Sequence, residues 1–274
     1  MVVTHEGFRV ASTDVSDDTG LIARAFVAAR REARGLGSYP GTIPPTLDAA
    51  YRVQDAAIAL DGSTIGGWKV GKIDPPVDGA NRLAGPIFTH LITADGDTPV
   101  AMPVFAEGFA AAEAEFLLRI GTPPPPGKTQ FTTEEAIAHI DAVHLGIEIA
   151  SSPLGAINDL GPAVTISDFG NNCGLVVGAA IPDWRETDIA AWPVALLVNG
   201  QQVGAARAAA MLDGPFGAAR FLFESLAGRG IALTRGQWIS SGAVTGVHAV
   251  TIGDTVEAHF NDNHVVRCTI RAAS

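Results

Sequence analysis

The chain has 274 residues, of which 47% are hydrophobic and 17% charged, with 31 glycines, 17 prolines and a formal net charge of −11. That composition describes a globular chain with a large core and many turns, long enough for one large domain or one domain with a small appendage. It excludes an electrostatic nucleic-acid binder, which needs a basic surface for phosphate contacts, and no apolar stretch approaches the roughly 18 residues that span a bilayer.

Residues 1–18 carry no basic region followed by an apolar run, so no export signal is read and a soluble, cytoplasmic protein with no membrane partner is expected. From Gly20 to Arg34, Leu21, Ile22, Ala25, Phe26 and Ala29 recur at helical spacing, with Asp17 and Asp18 before them and Gly35 after as cap signals. After the Pro/Gly turn region from Tyr39 to Pro45, Thr46–Leu60 predicts a second helix with Leu47, Ala50, Tyr51, Val53, Ala57 and Leu60 on its apolar face. Together these predict an N-terminal helical segment over 1–62 and a larger strand-rich domain over 63–274.

Gly67–Gly71, Val100–Val104 and Phe109–Ile120 predict strands. The four prolines after Thr122 favour a stiff, extended loop. Thr132-Thr-Glu-Glu135 is a capping box that opens a helix to about Val143. Leu145–Ala150 and Cys173–Gly178 predict strands, the second a continuous apolar run and so a buried one. Ala195–Val203 predicts a hairpin turning at Asn199-Gly200. Residues 216–227 predict a helix closed by Gly228, followed by strands at Trp238–Gly242, Ala249–Ile252, Thr255–Phe260 and Val265–Ile270, the last two joined across Asn261-Asp-Asn263. No internal repeat is present. Strands dominate the C-terminal two thirds with helices inserted, so the fold class is α+β, a mixed β-roll or sandwich.

The chemistry concentrates in two of these strands. Glu113 and Glu115 lie at i and i+2 of one strand, on one face and roughly 7 Å apart along the chain. Such a pair either sits on the solvated face of an edge strand or converges on a hard cation. Glu148 stands among apolar residues, where a lone carboxylate calls for a partner or a metal. Three glutamates around one divalent ion is therefore the hypothesis the residues raise.

Gly66-Gly-Trp-Lys-Val-Gly71-Lys72-Ile73 approaches a phosphate-binding loop but has Ile73 where the magnesium-binding hydroxyl belongs. Lys69 alternates with Trp68 and Val70, so it occupies the opposite strand face. An enclosed lysine there is desolvated, with its pKa lowered toward acid–base use, whereas a half-exposed strand makes it a surface charge. The seven histidines form no His-x-His or His-x-x-x-His pair, and no Gly-x-Ser-x-Gly elbow is present. Cys173 and Cys268 make no Cys-x-x-Cys motif and no disulfide framework. Ser240-Ser241-Gly242 ends a strand and either contacts a ligand or turns the chain.

The ordered set Gly-Trp-Lys69-Val-Gly, Glu113-Ala-Glu115, Glu148 and Ile239-Ser-Ser241-Gly-Ala resembles the 2-keto-4-pentenoate hydratase family of the fumarylacetoacetate hydrolase superfamily. Ala49-Ala-Tyr51-Arg-Val-Gln54, Asn172-Cys-Gly174-Leu and Gly253-Asp254-Thr-Val-Glu-Ala extend the match over about residues 20–270. The resemblance implies Mg²⁺ or Mn²⁺ held by Glu113, Glu115 and Glu148, Lys69 as acid–base and substrate-binding residue, Ser241 in contact with substrate, and a homo-oligomer. It implies a small 2-oxo or 2-hydroxydienoic acid as partner and hydration as the reaction, in breakdown of aromatic compounds.

Two stretches depart from the family pattern. Asp78 in Asp78-Gly-Ala-Asn-Arg-Leu-Ala-Gly85 matches the family's aspartate only loosely, and Ser167-Asp168-Phe-Gly-Asn-Asn172 is longer by a residue or two. These stretches are expected to line the substrate's far end, with Asp78, Arg82 and Asp168 facing it and Arg82 its sole cation. The competing activities are decarboxylation of a 4-oxalocrotonate-type acid, hydrolysis of an acylpyruvate or fumarylacetoacetate type, and non-catalytic binding or assembly. The resemblance implies that the superfamily's hydrolases use a His–Glu pair on an N-terminal lid, and His5-Glu6 lies too early for it.

Overall fold

The computed structural model describes residues 15–274, with side chains from residue 18 onward; His5 and Glu6 lie outside the described residues. Helices α1 (Val15–Arg31) and α2 (Leu47–Asp61) come first. The α2 bounds follow from its caps: the Thr46 hydroxyl accepts from Ala49 N at 3.2 Å, and Gly62, at φ 73°, closes the far end. The first helix departs from expectation. It takes in Asp17 and Asp18, predicted as caps, and its left-handed exit is Ala33 at φ 49°, not Gly35.

The rest of the chain runs β1 (Ile65–Val77), β2 (Ala80–Phe88), β3 (Ile92–Ala94), β4 (Val100–Val104), β5 (Phe109–Ile120), α3 (Thr133–Ala138), β6 (Ile140–Ser152), α4 (Pro162–Ser167) and β7 (Asn172–Ala180). It continues through β8 (Pro193–Val198), β9 (Gln201–Arg207), α5 (Gly214–Gly228), β10 (Trp238–Ser240), β11 (His248–Ala249), β12 (Thr255–Phe260) and β13 (His264–Ala272). The capping box forms at Thr132 and Glu135, but α3 ends at Ala138, short of the predicted Val143. Residues from Ile140 onward pair with β5 instead, and burial of Ile140, Val143 and Leu145 in the sheet overrides the local helix signal. Asn199 (φ 52°) and Gly200 (φ 75°) make the expected tight hairpin between β8 and β9.

The strands form two sheets, one ordered β2-β1-β10-β5-β6-β7-β3 with β11 on β5, the other β4-β13-β12-β8-β9. Both are mixed: β1 runs parallel to β10, β3 to β7 and β13 to β4. The main core lies between the sheets. Trp68, Val70, Phe116, Leu118, Ile147 and Ile149 of the first sheet meet Val194, Leu196, Val256, Phe260 and Val266 of the second. Strand alternation sends the intervening residues, Lys69, Glu113, Glu115 and Glu148, to the first sheet's other face. Helices cover that side: Ile22, Phe26 and Val53 pack with Phe88, Leu154 and Phe169, and Ala50 packs with Ile73, Leu83 and Ile166. No helix among the described residues is long and apolar enough to cross a membrane.

One ion pair locks α1 to the loop before β7. Arg30 donates to both Asp168 carboxylate oxygens, at 2.5 and 2.9 Å, and to Asn172 O at 3.0 Å and Ser151 O at 3.2 Å. Its guanidinium lies over the rings of Phe105 and Phe169, 5.5 and 5.2 Å from their centres. Asp168 is fully buried, so removal of Arg30 strands a carboxylate. Arg30→Ala is expected to lower unfolding free energy by about 3–5 kcal/mol in denaturant titration. A loss under about 1 kcal/mol would contradict this role.

Candidate metal centre and active site

β5 is an interior strand, hydrogen-bonded to β10 on one side and β6 on the other, which excludes the solvated edge-strand placement of Glu113 and Glu115. Glu148 of β6 sits directly across from Glu113. One carboxylate oxygen from each of Glu113, Glu115 and Glu148 lies within 4.8 Å of the others. All three residues are buried, Glu115 and Glu148 completely.

The neighbours of this cluster hold it by hydrogen bonds. The Ser240 hydroxyl and, at 2.9 Å, Gly242 N donate to Glu115 Oε2. Asn172 Nδ2 donates to Glu148 Oε1 at 3.0 Å, and Lys69 Nζ lies 3.3 Å from that oxygen. Among the described residues, Glu115 Oε1 and Glu148 Oε2 are buried without a partner. Three carboxylates against one ammonium leave uncompensated negative charge in a buried site. Burial, followed by repulsion from Glu148, raises Glu113 to about 7 despite Lys69; burial with repulsion from Glu148 and Glu113 raises Glu115 well above the usual carboxylate range. Two orphaned oxygens, excess negative charge and an all-oxygen donor set fit a small hard dication such as Mg²⁺ or Mn²⁺.

Lys69 is buried on the glutamate face, which excludes the surface-lysine alternative, but the predicted fall in its pKa is corrected. Burial alone would lower it; attraction to Glu148, Glu113 and Glu115 together outweighs burial and holds the ammonium charged above its ordinary range. The sign depends on cross-strand neighbours that the local sequence does not show.

A cavity of about 920 Å³ opens beside the cluster, lined at that end by Lys69, Glu113, Asn171 and Ser241. Ser241 Oγ and Asn171 Oδ1 are buried without hydrogen-bond partners among the described residues. Of the three expected far-end residues, Asp78 and Asp168 lie outside the cavity lining and Arg82 lies within it. Asp78 is exposed in the β1–β2 turn, at φ 50°, and does not line the cavity. Asp168 is buried against Arg30, also outside the cavity lining. Arg82 lines the cavity, but its guanidinium is bound to Asp213. Asn171 and Asn172 were not singled out as site residues from sequence. Their signal was their place in the stretch that runs longer than its family counterpart.

The raised carboxylates generate a pH-dependent prediction. A group with a raised folded pKa stabilises the fold fully below its unfolded pKa and loses that contribution as pH rises through the folded value. Metal-free protein should therefore lose stability as pH climbs from about 4.5 to 7, the interval between the ordinary and folded values for Glu113. Saturating Mg²⁺ should restore the loss at pH 7.5, and Glu113→Gln should weaken both effects in thermal-unfolding scans, with Glu115 left as the remaining raised carboxylate. A metal-free melting temperature that rises over this interval would contradict the electrostatic account.

No protein-family model matches the chain. It is 27% identical over 271 residues to 2-keto-4-pentenoate hydratase of Burkholderia vietnamiensis strain G4, covering 93% of this chain and 99% of that one. It is 27% identical over 238 residues to 2-hydroxyhexa-2,4-dienoate hydratase of Comamonas testosteroni, covering 82% and 87%. Among solved structures, 4-oxalocrotonate decarboxylase from Pseudomonas putida G7, complexed with magnesium and adipate, superposes with a TM-score of 0.77 at 20% identity over 93% of this chain and 97% of that one. The chain is thus similar over most of its length to 2-keto-4-pentenoate hydratases, the family that its ordered motifs resemble, and shares its α+β fold of mixed sheets with solved members of the fumarylacetoacetate hydrolase superfamily.

Proposed function

We propose that the protein is a Mg²⁺- or Mn²⁺-dependent hydratase that adds water to a 2-hydroxy-2,4-dienoate and yields a 4-hydroxy-2-oxo acid in breakdown of aromatic compounds. The observation that carries this reading is the buried Glu113–Glu115–Glu148 cluster, with orphaned oxygens at the end of a cavity beside a charged lysine. The hydratase names of two relatives aligned over most of their length support it.

Glu113, Glu115 and Glu148 would hold the metal, whose chemistry there is Lewis-acid stabilisation of negative charge on the substrate's 2-oxygen. Lys69, charged and 3.3 Å from Glu148 Oε1, is placed to donate to an anionic substrate and to move a proton. Ketonisation takes the proton from the 2-hydroxyl and places one on the diene's terminal carbon. Water then adds hydroxide at C4 and its proton at C3. Ser241 Oγ and Asn171 Oδ1, free of protein partners, orient the substrate or that water. The sheets and helices around Lys69 exclude bulk water from one side of the site.

Non-catalytic binding would not need a lysine set against the carboxylate cluster, which weighs against an assembly subunit. The family resemblance adds a cytoplasmic homo-oligomer to this reading. With Mg²⁺ present, the protein should consume 2-hydroxypenta-2,4-dienoate and form 4-hydroxy-2-oxopentanoate, and EDTA should stop it. Turnover that survives EDTA, or release of CO₂ from a 4-oxalocrotonate-type diacid at a higher rate, would overturn the proposal. Lys69→Ala should lower kcat about 10²–10⁴-fold. Because it removes a cation beside the metal site, it should leave Mg²⁺ affinity equal or tighter. An unchanged kcat would remove Lys69 from the mechanism.

A further inference from the structure

The cavity is much larger than a five-carbon acid requires. Its volume of about 920 Å³ falls near the top of the roughly 300–1,000 Å³ range that accommodates drug-sized ligands. Beyond Lys69, Glu113, Asn171 and Ser241, its walls include Ile73, Leu83, Met211, Leu212, Val244 and Val247. Leu212 and Val247 are exposed, 47% and 53%, so among the described residues apolar surface rims the opening. A tail that ran along this wall would remove that surface from water.

The cations in the wall are already paired. Lys69 faces Glu148, and Lys72 Nζ lies 2.5 Å from Asp74 Oδ2. Arg82 is bound to Asp213, which also takes Arg220 at 2.9 Å. Register explains the Arg82 placement. It pairs with Lys72, whereas Lys69 pairs with Gly85, so alternation sends Arg82 toward the face that carries Val70 and Ala84. A second substrate carboxylate would have to displace Asp213 from a largely buried guanidinium or compete with Asp74 at the rim.

From these observations we propose that the site selects a monoanionic 2-oxo or 2-hydroxydienoic acid with a long alkyl or aryl tail, and that Met211 and Leu212 set this specificity. The proposal rests on the metal-dependent 2-oxo acid reading above and names the substrate class within it.

Binding measures it without turnover. Mg²⁺-loaded protein would be titrated calorimetrically with pyruvate, 2-oxohexanoate, 2-oxooctanoate, 2-oxodecanoate and the diacid 2-oxohexanedioate. Affinity should rise roughly threefold or more for each added methylene, as for groups leaving water for an apolar wall. The diacid should bind at least about tenfold more weakly than 2-oxohexanoate, because its second charge meets paired cations and apolar side chains. Met211→Glu and Leu212→Glu should flatten the series while pyruvate affinity stays unchanged. A flat series in the unaltered protein, or a diacid bound more tightly than 2-oxohexanoate, would overturn the proposal while the metal site stands. Failure of pyruvate to bind in a Mg²⁺-dependent way would overturn the functional reading itself and this one with it.

Discussion

Uncompensated negative charge in a buried place is the constraint around which this molecule is arranged. Glu113, Glu115 and Glu148 are buried in the middle of a sheet with one ammonium for company. A carboxylate removed from water costs several kcal/mol unless it is paired and hydrogen-bonded. The donors that answer that cost come from four places: Lys69 of β1, Ser240 of β10, Gly242 N just beyond it, and Asn172 at the start of β7. Each is delivered by a strand that pairs with β5 or β6, or lies one strand further out, so the sheet order is the means by which the cluster is held. Two carboxylate oxygens still lack a partner among the described residues, and the remaining charge calls for a dication.

The same sheet works because its faces are chemically opposite. One face, with Trp68, Phe116 and Leu118, is closed by the second sheet; the other carries the charged cluster and is partly covered by α1, α2 and α4. The segment before β7 closes over the cluster by an unusual path. Phe169, Gly170 and Asn171 take φ of 53°, 65° and 68°, a left-handed run that costs free energy at the two non-glycine positions. Gly85 allows its approach, since a Cβ there would lie 2.1 Å from Phe169 O. Arg30 fixes both ends of the segment, Asp168 and Asn172 O, from a helix some 140 residues earlier in the chain. A surface loop without that clamp would not hold Asn171 and Asn172 at the cavity's charged end.

What was readable in the sequence was local periodicity and the type of the chemical groups. Phe109–Ile120 and Thr255–Phe260 have the bounds their alternation predicts, and Asn199-Gly200 turns as its φ preference requires. The three glutamates could be grouped because two share a strand face and the third is conspicuous among isoleucines. What was not readable depended on contacts across the chain. The capping box at Thr132 carries no information about where β6 takes over. The pKa of Lys69 rises instead of falling because three carboxylates from other strands outweigh its burial. Asp168 was expected to face substrate and instead serves Arg30, and Arg82 is occupied by Asp213; neither pairing leaves a trace in local sequence.

The most direct test is to locate the cation. Crystals of the protein grown or soaked with Mn²⁺ should show one anomalous difference peak per chain at the cluster, about 2.1 Å from an oxygen of each of Glu113, Glu115 and Glu148, the distance typical of a small six-coordinate dication. That peak should vanish in Glu115→Gln crystals of the same form. Density at the surface only, or a cluster that stays compact and protonated in saturating Mn²⁺ without a peak, would contradict the account.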